Sequence, residues 1–182
     1  MNIEIVSGSA RKGSLTHRLA LFLQKRLADQ TKHNINIIDV RDWNFDQTHE
    51  NVYSSVESTL EIHRPLAEKM FAADAFIMVS PEYNGSYSTF LKNLFDHFPK
   101  QLHKPFGIVT GSPGGMGGVR ASLQMQALVS ALFGIASPFL LVTPFVDKKF
   151  NESGELVDLS FQAPIDTFVN EFIWLAERIN AK

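Results

Sequence analysis

The sequence alternates short apolar runs with helix-like patterns over most of its length, and this alternation limits the folds that it can adopt. Five runs of four to six residues are rich in β-branched and aromatic side chains. Three of these runs have no polar alternation, as expected of strands that are covered on both faces in a parallel sheet. The five predicted strands are 3–6, 35–40, 75–79, 106–110 and 139–142.

Between these runs, apolar residues recur at the spacing of an amphipathic helix. Alternating strands and helices favour a three-layer, doubly wound α/β fold with a five-stranded parallel sheet. Ligands of such folds bind beyond the carboxyl ends of the strands. The helical patterns begin at Leu15, Leu91, Leu123 and Phe168, with a less regular one near Pro65. The loops expected at the carboxyl ends are 7–14, 80–88 and 111–118.

The length and composition narrow the class of protein further. A chain of 182 residues predicts a single domain over residues 1–182. Lys and Arg total 17 and Asp and Glu total 19, so the net charge of -2 offers no basic excess for a nucleic-acid partner. The chain has 0 Cys, which excludes thiolate catalysis, zinc–thiolate sites and dithiol relays. Any redox chemistry therefore depends on a bound cofactor.

The first residues and the hydropathy pattern bear on location. Residues 1–6 place Glu4 inside an apolar run and lack a basic leader, so they predict a strand and not a signal peptide. A membrane helix needs about 20 consecutive apolar residues, and the sequence has no such run. We expect a cytoplasmic protein with no membrane partner.

The loop at 7–14 reads SGSARKGS and leads directly into a predicted helix. Free N–H groups and the positive end of a helix attract anions, Ser9 and Ser14 add hydroxyl donors, and Arg11 adds a charged fork. These features predict a phosphate-binding loop. The alternative is an ordinary turn in which Ser14 only caps the helix.

Two known phosphate-binding motifs can be compared with this loop. Gly8 and Gly13 have the G-x-x-x-x-G spacing of a P-loop, but Ser14 stands where the phosphate-binding Lys belongs. Compared with the dinucleotide motif G-x-G-x-x-G, the loop has Ala10 in place of the middle glycine. Asp39, however, lies near the end of the second predicted strand, where that motif has the acid that binds the ribose. A dinucleotide site therefore remains open, but a compact loop with hydroxyls and one Arg better fits the terminal monophosphate of a mononucleotide.

The three loops together resemble a known family. Residues 8–14 read GSARKGS, residues 81–86 read PEYNGS with LKNLFD at 91–96, and residues 112–118 read SPGGMGG. These segments resemble the signatures of the NADPH-dependent FMN reductase family, which has a flavodoxin-like fold and includes quinone, azo-dye and chromate reductases. The resemblance extends over nearly the whole chain, in order, and PEYN is its most specific part.

The resemblance implies a role for each matching residue. The FMN phosphate is held by Ser9, Arg11, Ser14 and the backbone at Leu15 and Thr16. The flavin and ribityl chain are lined by Pro81, Glu82, Tyr83 and Asn84. The pyrimidine end of the ring meets Ser112, Gly114 and Gly115.

The resemblance also implies the chemistry and the assembly. Hydride passes from NADPH or NADH to bound FMN and then to a quinone, an azo compound, a free flavin or a metal oxyanion, and no catalytic side chain is required. A G-x-S-x-G motif is absent, and the 6 His residues show no metal-ligand spacing, so we expect no metal. A homodimer or homotetramer is implied by the family alone.

Two other classes remain as alternatives. A flavodoxin-type electron carrier also binds FMN, but such carriers tend to be strongly acidic and to have a T-x-T-G-x-T first loop, unlike this chain. A nucleotide-binding regulatory module without turnover is the other alternative.

The segment at 41–58 has no clear periodicity but contains Trp43, Phe45 and Tyr53. Long loops in compact domains are commonly functional or disordered. We hypothesise that this segment covers a flavin or packs in a dimer interface, and the alternative is a satellite of the core beneath a loop.

Overall fold

A parallel sheet runs through the computed structural model, which describes residues 1–47 and 49–181. Thr48, inside the 41–58 segment, and Lys182, at the end of the predicted domain, lie outside the described residues. The strands follow the order β2-β1-β3-β4, and β5 and β6 both pair with β4. The strands are β1 (Asn2–Ser7), β2 (Asn34–Asp39), β3 (Ala75–Pro81), β4 (Pro105–Ser112), β5 (Ile135–Ala136) and β6 (Leu141–Pro144).

The fifth position of the sheet, predicted as one strand at 139–142, is shared by two short strands. β5 pairs with residues 105–106 of β4, and β6 pairs with residues 109–112. The chain leaves the ladder between them, where Pro138 lacks the N–H that pairing requires. The sheet therefore has five positions but six strands.

Helices cover both faces of the sheet, as the apolar strands require. One buried cluster joins α1 and α6 to the sheet, and a second joins α2, α3 and α4 to its other face. In the described residues, the helices are too short or too polar to cross a membrane. The helices are α1 (Leu15–Gln30), α2 (Arg64–Ala72), α3 (Thr89–Asp96), α4 (Val119–Ala131), α5 (Val146–Lys149) and α6 (Gln162–Asn180). Three short 3₁₀ segments lie at Val40–Asp42, Glu61–His63 and Leu159–Phe161.

Serine residues begin two of the helices beside the predicted loops. The Ser14 hydroxyl accepts a hydrogen bond from the His17 N–H at 3.2 Å, and the Ser88 hydroxyl accepts one from the Phe90 N–H at 3.1 Å. Each bond satisfies a backbone donor that the first helical turn leaves free. The helix starts are therefore set by local sequence.

The 41–58 segment packs inward with its aromatic side chains. The Phe45 ring lies 4.4 Å from the rings of both His63 and His97, and Tyr53 is buried. The hydroxyl of Tyr53 lies 2.7 Å from Nδ1 of His63, and Nε2 of His63 lies 3.3 Å from the carbonyl oxygen of Asn44. Because a carbonyl can only accept, Nε2 carries the proton and Nδ1 accepts from Tyr53. These contacts favour the core-satellite interpretation of Phe45 and Tyr53.

Glu4 lies in β1, an interior strand of the sheet, and is almost fully buried, at 2% exposure. Its Oε1 accepts a hydrogen bond from Asn36 at 2.8 Å, whereas Oε2 has no hydrogen-bond partner among the described residues. Burial raises the pKa of this carboxyl above its ordinary value, against the opposing effects of Asn36 and Lys69. The ionised carboxylate therefore destabilises the folded chain.

We predict that Glu4→Gln stabilises the protein at neutral pH. Because the pKa of Glu4 is raised in the folded state, its protonated carboxyl contributes fully to stability below pH 4.5. This contribution is lost as the carboxyl ionises, when the pH rises through the folded-state pKa. The melting temperature of the variant should exceed that of the wild type by about 2–4 °C at pH 7.5, the shift expected for a gain of roughly 1 kcal/mol. The difference should shrink towards pH 4.

The exposed Glu68 on α2 provides the control, because Glu68→Gln should leave the melting temperature unchanged at both pH 7.5 and pH 4. Equal melting temperatures at pH 7.5 would contradict the destabilising role of Glu4.

Candidate functional site

The loops that follow β1, β3 and β4 meet around a cavity of about 470 Å³. This volume lies within the range of about 300–1,000 Å³ that small-molecule sites occupy. The cavity is half open, and it lies at the carboxyl edge of the sheet, where the strand order reverses between β1 and β3. Its lining residues are Ser9, Arg11, Lys12, Gly13, Ser14, Leu15, Thr16, Pro81, Glu82, Tyr83, Asn84, Gly111, Ser112, Pro113 and Val146.

The structure brings ten of the twelve residues predicted for the site to this cavity. Gly114 and Gly115 do not line it; they lie on the exposed turn beyond, where the Gly114 carbonyl accepts a hydrogen bond from the Ser112 hydroxyl at 3.2 Å. Lys12, Gly13, Gly111 and Pro113 line the cavity inside the predicted loops. Val146 comes from α5, and sequence pattern alone offered no signal for it.

The first loop forms a cup of hydrogen-bond donors. Ser9, Ser14 and Thr16 are all buried, and the hydroxyls of Ser14 and Thr16 lie 3.2 Å apart. The cup lies at the positive end of α1, which has no acidic residue in its first turn, and Arg11 and Lys12 add two exposed cations. This donor set fits a phosphate group.

The second loop is a tight hairpin. Tyr83 and Ser86 exchange backbone hydrogen bonds of 2.8 and 3.1 Å, and Asn84 and Gly85 between them have φ angles of 51° and 82°. An Asn-Gly pair with two positive φ angles is favoured in two-residue hairpins. The Arg11 guanidinium lies 4.5 Å from the centre of the Tyr83 ring, a cation–π contact that joins the first two loops.

The third loop depends on glycine for its course. Gly117 has φ 60°, and a Cβ on it would lie 2.6 Å from the backbone nitrogen of Pro144. A Cβ on Gly111 would lie 3.1 Å from Leu19 on α1 and 3.2 Å from Val146 on α5. The glycines therefore let the loop pass between β6 and the helices, close to the cavity.

The Glu82 carboxylate is engaged with α4. Its Oε2 accepts hydrogen bonds from the backbone N–H groups of Arg120 and Ala121, at 3.1 and 3.3 Å. Its Oε1 lies 3.6 Å from Nη1 of Arg120. Glu82 thus lines the cavity while its side chain bonds to the helix that follows the third loop.

The dinucleotide-site alternative from the sequence is weakened by two features of this edge of the sheet. Asp39 is held by Arg41 through several side-chain hydrogen bonds, so its carboxylate is occupied within the chain and not presented as a ribose acceptor. Burial acts to raise the pKa of Asp39, but the hydrogen bonds from Arg41 bring the pKa below its ordinary value. The strand order β2-β1-β3-β4 is that of flavodoxin-like folds and not that of dinucleotide-binding domains.

A Ser-His-Asp group near the cup lacks the geometry of a catalytic relay. The Ser7 hydroxyl and the Asp39 carboxylate both face Nδ1 of His17, at 2.9 and 3.4 Å, so they do not lie on opposite sides of the ring. Burial lowers the pKa of His17, with the Asp39 carboxylate opposing that effect. Within residues 1–47 and 49–181, His, Asp and Glu form no group of three or more that could hold a metal ion.

A second cavity, of about 510 Å³, lies between residues 40–47 with His49 on one side and α3 on the other. Trp43, Phe45 and Phe90 are among its lining residues, together with polar side chains of both segments. Ten of the twelve residues predicted to bind the cofactor line the first cavity, and none of the twelve lines this one.

Comparisons with known proteins agree with the geometry. Residues 1–142 match the sequence pattern of the family described as NADPH-dependent FMN reductase. An FMN-dependent NADPH-azoreductase of Staphylococcus aureus is 32% identical over 176 residues, which cover 93% of this chain and 92% of that protein.

Two solved structures share the fold. The flavoenzyme NAD(P)H:(acceptor) oxidoreductase FerB from Paracoccus denitrificans has a TM-score of 0.79 at 21% identity, with 97% of each chain covered. A flavodoxin variant from Pseudomonas aeruginosa has a TM-score of 0.57 at 18% identity, with 95% of this chain and 99% of that chain covered. Both likenesses establish a flavodoxin-like fold.

We predict that Gly117→Ala destabilises the protein more than Gly13→Ala. Both glycines have positive φ angles, 60° and 67°, but a Cβ on Gly13 meets nothing within 4 Å, whereas one on Gly117 strikes backbone atoms of 143 and 144. Gly13→Ala should cost about 1 kcal/mol from the backbone conformation alone, and Gly117→Ala should cost about 2–4 kcal/mol because β6 must also move. Urea unfolding of both variants measures the difference. Equal costs would contradict the close packing of the third loop on β6.

Proposed function

This chain belongs to the NADPH-dependent FMN reductase family, and we propose that it binds FMN in the 470 Å³ cavity and uses it to reduce small acceptors with NADPH or NADH. The observation that carries the site assignment is the meeting of a donor-rich, cationic cup with two further loops around one cavity. The cofactor and the general reaction follow from the family.

The cup accounts for the phosphate end of FMN. The hydroxyls of Ser9 and Ser14, the Arg11 guanidinium and the backbone N–H groups of Leu15 and Thr16 supply donors of different kinds at the start of α1. Hydrogen bonds to a charged partner contribute about 1.5–3 kcal/mol each. A few such bonds, together with the helix dipole, are sufficient to select a phosphate dianion over a neutral ligand.

The other two loops account for the remainder of the cofactor. We assign Pro81, Glu82, Tyr83 and Asn84 to the flavin and ribityl chain, with the hairpin turn holding Tyr83 and Asn84 in place. Ser112 lines the cavity beside the pyrimidine end of the ring, and Gly114 and Gly115 border it through the turn that Ser112 closes.

The side chains of this chain bind and orient; they are not assigned an acid, base or nucleophile. Bound FMN supplies the redox chemistry, accepting a hydride from the nicotinamide and passing two electrons to the acceptor. Because the cavity is half open, the nicotinamide and the acceptor reach the bound cofactor from the solvent side. We assign the backbone N–H groups of the third loop to the pyrimidine end of the flavin, where they stabilise the negative charge that reduction adds to the cofactor.

An azo compound is the acceptor that we favour. The support is the Staphylococcus aureus relative, which is described as an FMN-dependent NADPH-azoreductase. Quinones, free flavins and metal oxyanions are the other acceptors to be compared. We further propose that the protein acts in the cytoplasm, where NADPH and NADH are generated, as a homodimer or homotetramer. Light scattering of the purified protein measures the assembly.

Reduction of the purified protein tests this function. We expect a yellow protein, or one that turns yellow with added FMN, whose flavin absorbance is bleached within seconds by NADPH or NADH without oxygen. Adding an azo dye should then restore the absorbance while the dye loses colour. A yellow protein that ignores both nicotinamides would instead indicate an electron carrier, and a protein that rejects FMN would contradict the proposal.

We predict that Arg11→Ala raises the Kd for FMN by about 10–100-fold, because one charged hydrogen bond of roughly 1.5–3 kcal/mol is removed. The Kd of Arg11→Lys should lie between those of the wild type and Arg11→Ala, since Lys keeps the charge but loses the planar fork. The control is Arg178→Ala at the exposed end of α6, which should leave the Kd unchanged. Fluorescence titration of FMN measures all four proteins, and an unchanged Kd in Arg11→Ala would remove the phosphate assignment.

A further inference from the structure

Helix α4 begins without a side-chain cap of its own. Gly118 precedes it with φ 89°, and a Cβ there would lie 2.9 Å from Cβ of Thr110. The backbone therefore requires glycine at 118, and glycine has no side-chain oxygen to accept from the first helical turn. The free N–H groups of α4 need an acceptor from another part of the chain.

Glu82 supplies this acceptor from the loop after β3. The two backbone hydrogen bonds that its Oε2 accepts from Arg120 and Ala121 join residues that are 38 and 39 positions apart. Its side chain is mostly buried, at 14% exposure, whereas the paired Arg120 is 66% exposed. The carboxylate is thus held by the helix, on a residue that lines the cavity.

This contact fixes two loops of the site to each other. The second loop carries Tyr83 and Asn84 immediately after Glu82, and the third loop runs from Ser112 to the start of α4. The Glu82 carboxylate therefore fixes the position of the second loop relative to the third. We assign the second loop to the face of the flavin ring and the third loop to its pyrimidine end. Movement of either loop requires that the hydrogen bonds to α4 be broken.

The same contact changes the charge that the cavity presents. The N-terminus of α4 has the positive end of a helix dipole, and Glu82 neutralises it with a full negative charge. Reduction of FMN adds negative charge to the cofactor, and a carboxylate on the cavity wall opposes that addition. Glu82 accordingly lowers the affinity for reduced FMN relative to oxidised FMN.

We propose that Glu82 is a positioning residue that caps α4 from a distance and lowers the reduction potential of the bound flavin. The proposal rests on the proposed function, since it places FMN in the cavity. The capping part concerns the protein without cofactor and can be tested separately.

Two substitutions separate the cap from the charge. Glu82→Gln keeps an acceptor oxygen for the α4 amides but removes the charge, so the midpoint potential of bound FMN should shift to more positive values. The ratio of the Kd for oxidised FMN to the Kd for reduced FMN should rise roughly threefold or more.

Glu82→Ala removes the acceptor as well, and hydrogen exchange at the amides of 120 and 121 should accelerate by roughly tenfold in the FMN-free protein. Glu68→Gln on α2 makes the same charge change on an exposed surface and should alter neither measurement.

The outcomes distinguish the two proposals. If Glu82→Ala leaves amide exchange at the start of α4 unchanged in the FMN-free protein, the cap assignment is wrong. If Glu82→Gln binds FMN with the potential of the wild type, the electrostatic role is wrong. If the wild type does not bind FMN at all, the proposed function fails and the electrostatic role fails with it, while the exchange measurement still decides the cap.

Discussion

Strands that are apolar on both faces need helices above and below, and the helical crossovers keep neighbouring strands parallel. Their carboxyl ends consequently lie along one edge of the sheet. The carboxyl ends of β1, β3 and β4 are adjacent along that edge, so the three loops that follow them converge although the first and third are more than a hundred positions apart in sequence. The cavity is a product of this arrangement, and each lining residue is placed by the strand or helix that it borders.

Close packing at this edge restricts the residues that the third loop can use. Gly111, Gly117 and Gly118 sit where a Cβ would strike a strand or a helix, so the loop lacks the side chains that elsewhere cap helices and bind ligands. Other segments supply such groups: Glu82 caps α4, and Val146 closes the wall from α5. The contact of Arg11 with Tyr83 joins the first two loops in a similar way. The site therefore depends on contacts between loops as much as on any one loop.

The aromatic 41–58 segment illustrates how a sequence signal can be ambiguous. Its aromatic content is equally compatible with a ligand cover and with a buried satellite of the core, because both bury aromatic surface. In the folded chain, the Phe45 ring packs against the rings of His63 and His97, and Tyr53 donates a hydrogen bond to His63, so these aromatic side chains pack within their own domain. Trp43 and Phe45 additionally line a second cavity beside α3, which periodicity does not reveal.

Local sequence determined the order of strands and helices, the serine caps at Ser14 and Ser88, the Asn-Gly hairpin and the residue types of the phosphate cup, because each depends on neighbours within a few positions. Most of the predicted site residues reached the cavity for the same reason: they directly follow a predicted strand. Only the tertiary structure decided that the last sheet position is divided between β5 and β6, that Gly114 and Gly115 lie outside the lining, and that Glu82 bonds to α4. These features depend on which atoms of distant segments come within hydrogen-bonding or van der Waals distance, and such distances are set by packing across the sheet and not by local pattern.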